Sequence, residues 1–206
     1  MVETQIVGRG ISDPNVIAAM KAIPRECFVP ISQVDHAYED RAVGTELGQT
    51  ISQPYIVALM TELLAVRPHH RVLEIGTGTG YQTAVLARIA CRVYSIERLR
   101  ALSDAAERRL AEMGVENVEL CVGDGSAGWP EAAPFDRIMV TAAAPRVPSI
   151  LVDELSECGR LVVPVGEGDA QILTVIHKVG GRIIEHPSLA VRFVKLIGEF
   201  GFPEPG

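Results

Sequence analysis

Apolar positions along the chain follow two rhythms that alternate from end to end. The helical one is clearest where Ile56, Leu59, Met60, Leu63 and Leu64 follow Pro54-Tyr55 and stop short of Pro68. That i, i+3, i+4, i+7, i+8 spacing is one face of an amphipathic helix, and proline suits its first turn because no N–H bond is lost there. An earlier stripe, Val16, Ile17, Met20 and Ile23, lies between Ser12-Asp13-Pro14 and Pro24, a capped start and a stop. Residues 25–38 carry no sustained rhythm and predict a loop with a short helical turn, lying over the body of the protein. Beyond Pro68, short apolar runs at 71–75, 92–96, 118–122, 135–140, 161–165 and 171–178 read as strands. Helical stretches at 82–90, 100–113 and 148–155 separate them, and Val179-Gly180-Gly181-Arg182 turns into a last strand at 183–185. Such alternation predicts an α/β fold with a doubly wound, mostly parallel, Rossmann-like sheet and antiparallel edge strands at the C-terminal end. With no repeat and no linker, one domain is expected, a helical cap of about residues 1–65 packed on a core of about 66–206.

Candidate chemistry concentrates after the first of those strands, in Glu74-Ile75-Gly76-Thr77-Gly78-Thr79-Gly80-Tyr81. Strand, glycine turn and helix in that order form a nucleotide-binding corner, where bare backbone and a helix N-terminus meet a ligand. The third glycine comes one residue earlier than in a dinucleotide fingerprint, and Glu74 precedes the first. A carboxylate there repels a pyrophosphate and favours a ligand end that carries an ammonium group, which disfavours an NAD-linked dehydrogenase. Glu97 closes the next strand, 17 residues after Gly80, and can accept hydrogen bonds from both hydroxyls of a ribose. Ligands in open α/β sheets sit beyond the strand C-terminal ends, so Glu74, Glu97, Asp124 and Thr141 should surround one cleft. Asp124 can accept an adenine amine with Gly125 permitting close approach, or can belong to a plain Asp-Gly turn. Ser52, in Leu47-Gly48-Gln49-Thr50-Ile51-Ser52-Gln53-Pro54-Tyr55, is either an ordinary cap or part of a hydroxyl-lined helix N-terminus that receives a carboxylate.

Bulk properties narrow the partners. At 206 residues, 48% hydrophobic and 22% charged, the chain has globular composition. A formal charge of −7 argues against nucleic acid or an acidic membrane surface. Absence of a long apolar run and of a secretory pattern around Met1-Val2-Glu3-Thr4-Gln5 predicts a cytoplasmic protein. Cys27, Cys91, Cys121 and Cys158 form no C-x-x-C pair; Cys91 and Cys121 are expected to fill core space as reduced thiols. Trp129 is expected to pack over the sheet edge. None of the five histidines falls in a catalytic motif, and no metal-ligand cluster is visible.

The glycine corner together with Glu97 resembles the S-adenosylmethionine site of class I methyltransferases. More narrowly, Gly48-Gln49-Thr50-Ile51-Ser52-Gln53-Pro54-Tyr55, Gly80-Tyr81-Gln82-Thr83 and Ala190-Val191-Arg192-Phe193-Val194 resemble the protein-L-isoaspartate (D-aspartate) O-methyltransferase family over about residues 14–198. The resemblance implies an enzyme that methylates the free α-carboxylate of L-isoaspartyl and D-aspartyl residues in damaged proteins. The ester then collapses through a succinimide, and S-adenosyl-L-homocysteine is the other product. It implies Ser52 as the active-site hydroxyl with Thr50 in support, and Gln49, Ile51, Gln53, Pro54, Tyr55, Arg192 and Phe193 around the peptide. Glu74, Gly76, Thr77, Gly78, Gly80 and Tyr81 would flank the methionine portion, Glu97 the ribose, Asp124 with Gly125 the adenine, and Thr141 the same cleft. No metal is implied, isoaspartyl proteins are the partner, and a monomer is expected.

Two positions depart from the family pattern. Val43-Gly44-Thr45-Glu46 stands where a Leu-Pro-Ile-Gly run is usual, and Lys195 replaces a proline after Val194. The alternatives are a methyltransferase for another acceptor and a non-catalytic S-adenosylmethionine-binding homologue. A hydroxyl acceptor would want a nearby base, and the motifs offer none.

Overall fold

A computed structural model describes residues 1–45 and 48–204. The helices are α1 (Pro14–Ala22), α2 (Pro54–Leu64), α3 (Tyr81–Ala87), α4 (Arg100–Glu112) and the short α5 (Ser149–Asp153), with several 3₁₀ turns in the N-terminal region. The strands are β1 (Val43–Gly44), β2 (Thr50–Ile51), β3 (Arg71–Ile75), β4 (Arg92–Glu97), β5 (Val118–Val122), β6 (Phe135–Val140), β7 (Leu155–Val165), β8 (Gln171–Val179) and β9 (Arg182–Val191). Asp13 caps α1 as its spacing predicts, its carboxylate accepting the Asn15 and Val16 N–H groups.

The main sheet runs β5-β4-β3-β6-β7-β8-β9; its first five strands are parallel and the last two antiparallel. Strand order reverses beside β3, which opens a crevice at the C-terminal ends of β3, β4 and β6. Successive side chains of a strand point to opposite faces, and the core divides accordingly. Val72, Val93, Met139 and Val162 pack with α1, α2 and α3 on one face, through Met20, Val57, Leu64 and Val85. Leu73, Ile75, Ile138, Val140 and Leu161 pack with Leu151 of α5 and with Leu196 on the other. Trp129 lies there against the ring of Tyr94 on β4, centroids 5.5 Å apart; β4 is flanked by β5 and β3, so Trp129 packs on the sheet face and not over the expected edge.

Three other expectations need correction. β7 begins at Leu155 rather than 161 and runs through Gly159. Phe135 and Arg137 pair with Leu155 and Arg160, so the residues between bulge outward, with Cys158 at a left-handed φ of 62°. β9 extends through Val191 and admits Pro187 because it is an edge strand. Cys91 is exposed and Cys121 only partly buried, both free thiols, because Cys91 sits in the turn entering β4 rather than on its inner face.

Candidate functional site

β3 ends at Ile75, and the chain must turn sharply to begin α3. Gly76 does this at φ +96°, and a Cβ there would overlap the Thr141 hydroxyl. That hydroxyl lies 2.6 Å from the Gly76 carbonyl and 2.9 Å from the Ile75 carbonyl, tying the end of β6 to the turn. A Cβ on Gly125 would overlap the Ile75 side chain. One wall of the crevice is therefore bare backbone. Gly80 serves differently: it lets α3 approach α4 and the Phe28 ring, a built Cβ meeting Ala106 at 3.3 Å, and it does not line the cleft.

The cleft has a volume of about 350 Å³. Gly76, Thr77, Gly78, Tyr81, Glu97, Gly125 and Thr141 line it, together with Gln49, Thr50, Ile51 and Ser52 from the stretch before α2. Glu97 is 6% exposed, and its carboxylate accepts the Gly78 N–H at 2.9 Å and the Leu99 N–H at 3.0 Å. Each oxygen retains a lone pair, which suits a vicinal diol. Thr77 Oγ1 and Ser95 Oγ lie 2.6 Å apart just behind.

Glu74 does not reach the cleft wall. It is fully buried, and its Oε2 accepts the Thr83 and Ser95 hydroxyls, both at 2.6 Å, while Oε1 has no partner. Burial pushes its carboxyl up to about 7, against the lowering effect of those two hydroxyls. Asp124 is turned away as well. Oδ1 accepts the Ser126 N–H at 2.8 Å and hydroxyl at 2.7 Å, and Oδ2 accepts the Glu199 N–H at 2.7 Å. Burial raises its carboxyl, but these donors outweigh it and hold it below the usual carboxylate range. Asp124 thus fastens the C-terminal segment to the end of β5, while Gly125 faces the cleft.

A second groove of about 470 Å³ adjoins the first, lined by Gln53, Ile56, Asp169, Ala190, Val191 and Arg192 among others. Thr50, Ser52, Thr141, Phe193 and Val194 line both. No side chain caps α2, so the capping alternative for Ser52 does not hold, and its residue stands at the seam between the cavities. Pro54 is buried in the helix, and Tyr55 lies beneath Arg9, the guanidinium carbon 3.5 Å from the ring centroid; neither lines a groove. Gln53 donates its amide to the Asp40 carbonyl. Glu46 lies outside the described residues. The Lys195 ammonium sits 5.0 Å from the Phe202 ring centroid.

Several contributors escape sequence reading. The C-terminal segment returns to the cleft because Ala143 N–H donates to the Val194 carbonyl, Leu196 N–H to the Ala143 carbonyl, and Phe193 N–H to the Gln171 side chain. Leu196, Ile197, Leu99 and Met60 join the lining. Gln171 gives no signal in the sequence. Arg25 gives a faint one, a charged residue just ahead of the apolar pair Phe28-Val29; it proves fully buried and holds the Ser52 carbonyl. Among the described residues, no group of three or more His, Cys, Asp and Glu is arranged to hold a metal.

Known proteins with this arrangement bear on its chemistry. A protein-L-isoaspartate O-methyltransferase from Methanoculleus marisnigri is 54% identical over 202 residues, covering 98% of this chain and 92% of the relative. One of the same name from Vibrio cholerae is 52% identical over 189 residues, covering 92% and 90%. A solved protein-L-isoaspartate O-methyltransferase superposes with a TM-score of 0.86 at 33% identity, covering 98% of this chain and 67% of that one. A structure described as a beta-aspartate methyltransferase from Plasmodium falciparum in complex with S-adenosyl-L-homocysteine gives 0.84 at 28% identity, covering 95% and 96%. The family described as protein-L-isoaspartate(D-aspartate) O-methyltransferase matches residues 1–201. With that span taking in the glycine corner, the Ser52 seam and the C-terminal segment alike, the chain belongs to the protein-L-isoaspartate(D-aspartate) O-methyltransferase family.

Proposed function

We propose that the two adjoining cavities carry methyl transfer from S-adenosylmethionine to the free α-carboxylate of L-isoaspartyl and D-aspartyl residues in damaged proteins, the step that starts repair. The observation that carries this reading is the position of Ser52 and Thr50, which line both the glycine-walled cleft and the groove beside it. The residues fit the cofactor. Gly76, Gly78 and Gly125 line the cleft with bare backbone, and Glu97 presents there a pinned carboxylate that would accept the hydroxyls of a ribose. When bound, S-adenosylmethionine supplies a methyl group already activated on a sulfonium centre.

The protein's own task is then positional. A peptide α-carboxylate is ionised at pH 7 and needs no general base. The Ser52 and Thr50 hydroxyls can donate to it and aim one oxygen across the seam, while Phe193 and Val194 exclude water. Arg192, exposed on the second groove, can face the rest of an anionic acceptor. The adjoining backbone amide nitrogen then attacks the methyl ester and methanol leaves, closing a succinimide without further help from the enzyme. We also infer a monomer in the cytoplasm, its N-terminal 65 or so residues capping the core; the charge of −7 speaks against nucleic-acid and membrane partners. No helix among the described residues is long and apolar enough to cross a membrane.

The test is labelled methyl transfer to an isoaspartyl peptide beside its normal aspartyl twin, with Ser52→Ala and Glu97→Ala as controls. Label is expected on the isoaspartyl peptide alone. Equal labelling of the two, or labelling of neither, overturns the assignment.

A further inference from the structure

Arg25 lies in the 3₁₀ turn Arg25–Phe28 and touches neither cavity. A guanidinium at 0% exposure ordinarily needs a carboxylate, because burying an unpaired charge is costly. Here Nε donates to the Ala37 carbonyl at 2.7 Å, Nη2 donates to the Ser52 carbonyl at 2.7 Å, and Nη1 has no hydrogen-bond partner. No ion pair involves Arg25 among the described residues. The guanidinium also lies over the face of Tyr81, its carbon 4.9 Å from the ring centroid. Tyr81 itself lines the cleft and meets the Phe28 ring edge-on. One buried cation therefore joins the Ser52 stretch to the first residue of α3, from behind.

We propose that Arg25 is a positioning residue for the acceptor side: its fork fixes the backbone at Ser52, and its unpaired charge favours a carboxylate docked at Ser52. This rests on the acceptor reading above. The two contributions act on different kinetic constants. Methyl transfer consumes the negative charge of the attacking oxygen, so a nearby cation stabilises the bound carboxylate more than the transition state. Loss of charge should therefore appear in KM. Loss of the fork misaims the Ser52 hydroxyl and should appear in kcat.

Arg25→Lys keeps the charge and loses the two-carbonyl fork; Arg25→Gln loses both. Wild type must first methylate the isoaspartyl peptide, and failure there strikes the acceptor reading rather than this one. With wild type active, Arg25→Lys is expected to lower kcat about tenfold with peptide KM within about threefold of wild type. Arg25→Gln is expected to show the same kcat loss and, in addition, to raise peptide KM about tenfold or more, while its affinity for S-adenosyl-L-homocysteine stays within about threefold by calorimetry. Unchanged kinetics in both variants overturn the proposal, as do parallel losses of peptide and S-adenosyl-L-homocysteine binding. Should Arg25→Gln not fold, the lysine variant decides: a kcat loss at preserved KM upholds the positioning role, and any other pattern overturns it.

Discussion

Glu74 carries an acid to a place no water reaches, between the Thr83 and Ser95 hydroxyls. Its folded carboxyl titrates near 7 against an ordinary value of 4.5, so the native state holds that proton more tightly than the unfolded chain. The stability this confers is complete below 4.5 and disappears as pH rises through about 7. Glu74→Gln, neutral at every pH, should lack that dependence. Relative to the variant, wild type should lose about 3 kcal/mol between pH 4 and 8 in urea unfolding; parallel profiles would show that Glu74 titrates normally. Glu97, at the cleft wall, is pinned by two backbone donors. Glu97→Ala should weaken S-adenosyl-L-homocysteine about tenfold to a hundredfold by calorimetry, the worth of hydrogen bonds to a charged group. Both acids stand out in the sequence at strand ends. Their opposite surroundings do not, since the hydroxyls around Glu74 come from α3 and β4.

At the scale of elements, the turn from β3 into α3 and the C-terminal segment both build walls of the cleft. Gly76→Ala must hold φ +96° with a Cβ in the place of the Thr141 hydroxyl. A loss of about 1–3 kcal/mol of stability is expected on urea unfolding, with weaker ligand binding alongside. The C-terminal wall is latched by Asp124 and Ser126, which accept the Glu199 and Phe200 N–H groups. Asp124→Ala should raise hydrogen exchange at those two amides about tenfold or more and speed S-adenosyl-L-homocysteine release. Slow exchange with weakened binding would instead return Asp124 to the adenine. The helical stripe of α2 and the alternation of strands are legible along the chain because each depends on neighbours a few residues apart. The bulge that starts β7 is not, because it arises from the pairing of Leu155 and Arg160 with β6.

Over the whole molecule, a formal charge of −7 opposes the approach of an anionic acceptor. An acidic isoaspartyl peptide should therefore show a KM about threefold to tenfold above that of a basic one at low salt, with the gap closing as ionic strength rises. A gap that ignores salt would place the preference in local contacts instead.

The order of the main-sheet strands and their helices, the glycine corner, the acids near the ends of β3 and β4 and the hydroxyl stretch before α2 follow from the sequence alone. Each depends on local spacing and on the backbone angles that single residues permit. Folding decided which of those groups meets the cleft: Glu97 at the wall and Glu74 behind it, Asp124 on the C-terminal segment, Tyr55 under Arg9, and Arg25 beneath Ser52. A side chain's partner is chosen by residues that come together only when helix and strand pack, often dozens of positions apart, and no periodicity encodes that meeting.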